Sequence, residues 1–231
     1  MRLSRVCLLM IAIGSAACGS DSPAKSDDGG STPTGPTTSN GINVTVDTAL
    51  ISRTAVVGSK LPAQVRVTQN GVPAAGIGIT WSLSKGGGTV DPATSSTDAN
   101  GIASTTWTLN DTVRTSVLTG AVVGSASATL TVTSTAGPVA AVKKVSPDSI
   151  GVVAGASTNV TVRVTDKSGN AIPGSTVKWT ATGGALTVTS TTTGSSGNGQ
   201  VVFSTEAAPK SYTVTATVDG IGSVTFKVVG L

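Results

Sequence analysis

Along most of the chain, apolar and polar side chains alternate one for one. Ile77, Ile79, Trp81 and Leu83 are apolar, while Gly78, Thr80, Ser82 and Ser84 between them are small or polar. A period of two sends alternate side chains to opposite faces of an extended strand, so this stretch predicts a strand with one buried face. The pattern returns at Val177, Trp179 and Ala181, with Lys178 on the wet side. Each copy runs on into glycines, Gly86-Gly87-Gly88 and Gly183-Gly184. Trp81 and Trp179 are expected to plug the core of a two-sheet body, with a strand before and a strand after each.

The same alternation surrounds both copies. In the first half, Val44 and Val46 open the series, and Ala63, Val65 and Val67 alternate with Gln64, Arg66 and Thr68. Asn70-Gly71 predicts a turn, because this pair accepts positive φ at low cost. A second turn is expected at Asp98-Ala99-Asn100-Gly101. Ala103, Thr105, Trp107 and Leu109 share one phase after it, and Ala126, Ala128, Leu130 and Val132 close the series. In the second half, Val160, Val162 and Val164 lead into a turn at Asp166-Lys167-Ser168-Gly169-Asn170. Tyr212, Val214, Ala216 and Val218, then Val224, Phe226 and Val228, finish it. Trp179 follows Trp81 by 98 residues, Gly199 follows Gly101 by 98, and Arg163 follows Arg66 by 97. That spacing is too long for a solenoid unit and suits a whole sandwich of about 100 residues. The pattern therefore predicts an all-β chain with tandem β-sandwiches over 42–136 and 137–231. Their join, Ala136-Gly137-Pro138-Val139, is short, and Pro138 restricts Gly137, so it reads as a semi-rigid hinge.

The first 41 residues read differently. Arg2 and Arg5 form a positive end, and Val6 to Ile13 is an apolar run too short to span a bilayer permanently. Ser15-Ala16-Ala17-Cys18 follows. This segment resembles the lipobox of bacterial lipoproteins. The resemblance implies that 1–17 is a lipoprotein signal peptide, that Cys18 carries lipid, and that Gly19 directs the protein to the outer membrane. Residues 18–41 then form the lipidated cysteine and a flexible linker. No large apolar residue occurs over 19–41, so this part cannot bury enough surface to order itself. As a coil it would average roughly 25–30 Å end to end, and about 75 Å at full stretch. With Cys7 removed and Cys18 lipidated, no disulfide is expected, and each sandwich must be held by its core alone.

Valines, a Gly-Asn or Asn-Gly turn, apolar-x-Trp, Gly-Gly, Thr-x-x-x-Gly and closing alternating strands stand at Val65 to Gly88 and Thr97 to Gly101. They stand again at Val162 to Gly184 and Thr193 to Gly199. This order resembles the group 1 bacterial Ig-like domain, the type repeated in intimin and invasin surface proteins. The resemblance implies two tandem Ig-like β-sandwich domains. It also implies a role as a rigid spacer or adhesive stalk at a cell surface. No counterpart of the membrane β-barrel or the lectin-like tip of those adhesins is expected within residues 1–231.

Composition narrows the chemistry. Charged residues make up 11% and aromatic residues 3%. The formal charge of +4 falls to +2 once Arg2 and Arg5 are set aside, and the remaining basic residues are scattered. A nucleic-acid groove needs clustered Lys and Arg, so no nucleic-acid partner is expected. The chain has no His, which removes the commonest general base and the commonest zinc ligand. Glu206 is the only glutamate, and no pair of acids suggests a glycosidase. Lys85-Gly86-Gly87-Gly88-Thr89 has the wrong order for a phosphate loop. The Asp166 to Asn170 turn lacks the later Glu of a calcium loop. No enzyme, cofactor or metal is expected. Candidate ligand contacts are Arg66 and Arg163, at matching outward positions, and Trp107, whose Thr-rich strand suggests partial exposure. The expected partners are the membrane, through the lipid, and an envelope protein or polysaccharide. A spacer or adhesive stalk is the leading reading. The alternative is a glycan- or protein-binding module that uses loops at one end of a sandwich, and a groove shared by Trp107, Lys85 and Tyr212 would favour it.

Overall fold

The alternating stretches fold as strands, because β-branched valine and threonine suit a pleated surface with one dry side. The computed structural model describes residues 41–46 and 53–231. The expected signal segment, Cys18 and the linker up to residue 40 lie outside the described residues. All described residues belong to one compact unit, and among them there is no helix.

The first sandwich contains β1 (Ile42–Val46), β2 (Thr54–Val56), β3 (Lys60–Gln69), β4 (Val72–Pro73) and β5 (Gly78–Lys85). It continues with β6 (Thr89–Asp91), β7 (Thr94–Ser96), β8 (Ile102–Thr108), β9 (Thr115–Ala121) and β10 (Ser127–Thr135). One sheet has the order β1-β3-β8-β6, with β4 added to β3, and the other has β2-β10-β9-β5-β7. The second sandwich contains β11 (Ala141–Lys144), β12 (Ser149–Val152), β13 (Ser157–Thr165), β14 (Thr176–Ala181) and β15 (Ala185–Leu186). Then come β16 (Ser190–Thr192), β17 (Asn198–Ser204), β18 (Lys210–Val218) and β19 (Gly222–Gly230). Its sheets run β11-β13-β17-β15 and β12-β19-β18-β14-β16. The described strands pair antiparallel except at β2 with β10 and β12 with β19, where the chain crosses between sheets and pairs parallel.

Each sandwich has its own dry interior. Val44, Val65, Val67, Trp81, Trp107, Leu118 and Val132 are among the residues filling the first. Val160, Val162, Val164, Trp179, Phe203, Tyr212 and Phe226 are among those filling the second. On β5, Ile79 and Trp81 point inward while Thr80 and Ser82 stay wet. A buried indole N–H calls for an acceptor, and for Trp81 and Trp179 the short strand alongside supplies it. Trp81 Nε1 donates to Ser95 Oγ at 2.8 Å, and Trp179 Nε1 donates to Thr191 Oγ1 at 2.8 Å.

The repeat is real, but one of its registers differs from the sequence reading. Gly101 accepts a hydrogen bond from Val67 N–H at 2.7 Å, and the residue that does the same for Val164 is Gly197, at 2.8 Å, not Gly199. Both glycines have positive φ, 74° and 75°, and a Cβ on either would press into the carbonyl it faces. The offset is thus 98 residues at the tryptophans but 96 at this turn. The difference arises after the tryptophan. In the first sandwich β5 continues through a bulge between Leu83 and Lys85 into a three-glycine loop, whereas β14 stops at Ala181.

Candidate functional site

Arg66 and Arg163 both stand exposed on the outer face of the corresponding strand, one on each sandwich. Arg66 on β3 lies between Thr45 of β1 and Ile102 of β8. Arg163 on β13 lies between Lys143 of β11 and Asn198 of β17. Directly opposed like charges such as Lys143 and Arg163 are unfavourable in a sheet, and solvent at this exposed face moderates the cost.

Trp107 does not fit the expected partial exposure. It is completely buried, because β8 is an inner strand of its sheet, with Leu61 of β3 and Val90 of β6 opposite Trp107. The threonines of β8 follow the pleat. Thr106 faces outward, and inward-facing Thr105 donates its hydroxyl to the Pro92 carbonyl at 2.8 Å. Tyr212 is also buried, in the other core, where its hydroxyl accepts the Glu206 N–H at 2.9 Å. Trp107 and Tyr212 therefore line no groove with Lys85. Lys85 instead borders a shallow hollow with Gly86, Val113, Arg114 and Thr115.

Five of the described carboxylates have structural partners. Asp98 Oδ1 accepts the N–H groups of Asn100 and Ile102, at 2.8 and 2.9 Å. The Ile102 bond is the chief reason its carboxyl sits below the ordinary aspartate range. Asp166 is 2% exposed. Its Oδ1 accepts N–H from Ser168 and Asn170, at 2.9 and 2.8 Å, and its Oδ2 accepts Gly137 N–H at 3.0 Å and Asn170 Nδ2 at 2.8 Å. Burial alone would raise the Asp166 pKa, but these four donors outweigh it and the net direction is down. Asp148, Asp219 and Glu206 pair with Lys144, Lys178 and Lys210 on the surface, where such pairs contribute little stability. Among the described residues no three His, Cys, Asp or Glu side chains are grouped as metal ligands would be.

Two polar residues matter more than their place in the sequence suggests. Buried Thr97 accepts Ile77 N–H at 2.9 Å and donates to Ala74 O at 2.6 Å. Thr193 does the same to Ser175 N–H and Ile172 O, at 2.9 and 2.7 Å. Each hydroxyl pins the chain entering the tryptophan strand. The Thr-x-x-x-Gly at Thr97 to Gly101, which in the corrected register recurs at Thr193 to Gly197 and not Gly199, is the sequence signal for this pin.

Residues 144–229 match the family profile described as bacterial Ig-like domain (group 1). No curated protein sequence matches the chain. Among solved structures, the chain is similar to the Escherichia coli adhesin FdeC, with 22% identity over 85% of this chain and 65% of that one, and a TM-score of 0.59. That likeness is one of fold. The D0-D1 domain of intimin aligns with 20% identity over 81% of this chain and 97% of that one, with a TM-score of 0.36. Invasin, a bacterial integrin-binding protein, aligns with 24% identity over 82% of this chain and 39% of that one, with a TM-score of 0.39. The chain thus spans 65% of the FdeC structure and 39% of the invasin structure.

Proposed function

We propose, from the match of residues 144–229 to the bacterial Ig-like (group 1) profile, that this chain is a non-catalytic, lipid-anchored envelope protein whose two sandwiches act as a spacer or adhesive stalk. The anchor in this reading is Cys18, followed by the linker to residue 41, and the site of action is the outer membrane or cell surface. The two sandwiches, 42–136 and 137–231, are its structural units. The observation that carries the reading is the join. Five residues, Ala136 to Ala140, separate β10 from β11, and the amide of Gly137 within them is held by a buried carboxylate of the second sandwich. A join so short and tied favours two bodies set end to end, which is what a spacer requires. Strands of about nine residues rise roughly 30 Å at ~3.3 Å per residue, so two sandwiches with their loops would extend for roughly 70–80 Å.

Small-angle scattering on residues 42–231 tests the spacer. An elongated profile near that length is expected. A compact profile with the sandwiches folded side by side would overturn the proposal and favour a binding module. Membrane fractionation tests the anchor. Cys18→Ser should move the protein from the membrane to the soluble fraction, and an unmodified mature N-terminus away from Cys18, measured by intact mass, would refute lipidation.

A further inference from the structure

The loop between β13 and β14 differs from its counterpart in the first sandwich in a way that the fold does not require. There the chain turns on Asn70-Gly71, both with positive φ. The second sandwich uses one residue more between matching positions, since Ala74 N–H reaches back to Val67 O and Ile172 N–H to Val164 O. The longer loop places Asp166, where the first sandwich has Gln69, under near-complete burial. Oδ1 of Asp166 caps its own turn, while Oδ2 holds Gly137 of the join and the amide of Asn170. Asn170 in turn reaches the first sandwich. Its Nδ2 donates to Asp111 O at 2.7 Å, and its Oδ1 accepts Val113 N–H at 3.1 Å. A side-chain amide that makes both bonds to one backbone segment fixes position and direction together.

The receiving segment is held ready. Asn110 Oδ1 accepts Thr112 N–H at 2.6 Å. Ser134, buried on β10, accepts Arg114 N–H at 2.9 Å and offers its hydroxyl to Thr112 O and Arg114 O. The equivalent pole of the second sandwich lacks these parts. Gly58 N–H bonds Asn110 O, and Gly155 N–H bonds Glu206 O, so Asn110 corresponds to Glu206, Val113 to Pro209, and Ser134 to Gly230. Pro209 has no N–H to give an incoming amide, and Gly230 has no hydroxyl to brace the loop. Two sandwiches of one plan thus depart from each other at the poles that meet. The reaching half is found on one and the receiving half on the other.

We propose that Asp166 and Asn170 form an interdomain clasp that fixes the pose of the second sandwich on the first. The clasp holds whether the body serves as a spacer or presents a ligand-binding surface, so it goes beyond the function proposed above. Asp166 is the anchor that orients Asn170 and ties the join, and Asn170 is the contact that reads the 110–114 loop of the neighbour.

Residual dipolar couplings measured on the full chain in detergent micelles test this. In the wild type, amides of both sandwiches should fit one alignment tensor. In Asn170→Ala, each sandwich should keep its own fold and the two should require separate tensors, differing at least twofold in magnitude. Asp166→Ala should do the same more strongly, and if that variant fails to fold, Asn170→Ala decides alone because the Asp166 turn is intact there. A common tensor in Asn170→Ala overturns the clasp. So does a wild type that already needs two tensors, or an Asn170→Ala chain whose second sandwich unfolds, because the loop would then serve the fold and not the junction.

Discussion

Two of the buried indoles have acceptors and one does not. Trp81 and Trp179 donate to Ser95 and Thr191, while Trp107 Nε1 has no hydrogen-bond partner. An unpaired buried donor costs about 1–3 kcal/mol in lost solvation. The second sandwich has Phe203 at the place of Trp107, which fills the same position without a donor. Replacing an indole by a phenyl ring forfeits packing, but at Trp107 it also removes the unpaired N–H, so the two effects oppose. Trp107→Phe is expected to change stability by less than about 1 kcal/mol. Trp179→Phe loses packing and a hydrogen bond together and should cost about 1–2 kcal/mol more. Urea denaturation of the two variants measures the difference, and equal costs would show that the acceptor at Thr191 contributes nothing. The burial of Trp107 was legible in its phase with Ala103 and Leu109. What misled was the threonine content of β8, since an inward threonine can bond a nearby carbonyl and remain dry.

At the scale of strands and turns, alternation made the elements readable and the connections less so. Val160, Val162 and Val164 announce β13 whatever surrounds them, because period two has no other common cause in a Val- and Thr-rich chain. The offset at the glycine turn was misjudged because Gly197 and Gly199 lie two residues apart. Each fits the alternation, and only the backbone bond to Val164 separates them. Loop length after the tryptophan sets that offset, and a bulge such as the one between Leu83 and Lys85 leaves no periodic trace. Asp166 was legible as part of a turn, since Asp, Ser, Gly and Asn all favour one. Its bonds to Gly137 and Asn170 were not legible, because they depend on which pole of one sandwich meets the other. The outward arginines were placed correctly on the wet face by the same alternation. Nothing in that pattern says whether a wet face meets a ligand.

For the molecule as a whole, the balance between two separate cores and one junction decides how it unfolds. The sequence contains two cysteines, Cys7 and Cys18, and none within 42–231, so no disulfide restrains the unfolded state of either sandwich. Trp179 is buried in the second core, and Trp179→Ala should cost roughly 3–5 kcal/mol there. For a domain of this size that lowers the midpoint by roughly 10–40 °C. The first sandwich has its own core, which shares no residue with the second. What it loses when its neighbour melts is the junction, a few hydrogen bonds of roughly 0.5–1.5 kcal/mol net apiece. Its midpoint should therefore fall much less than that of the second. Calorimetry of Trp179→Ala is expected to show two transitions, an early one from the damaged sandwich and a later one near the wild-type position of the first. In an Asn170→Ala background, where the clasp is already absent, Trp179→Ala should leave the midpoint of the first sandwich almost unmoved. A single transition that moves as a unit in Trp179→Ala would mean that the junction outweighs the separate cores, and that the two sandwiches fold as one body.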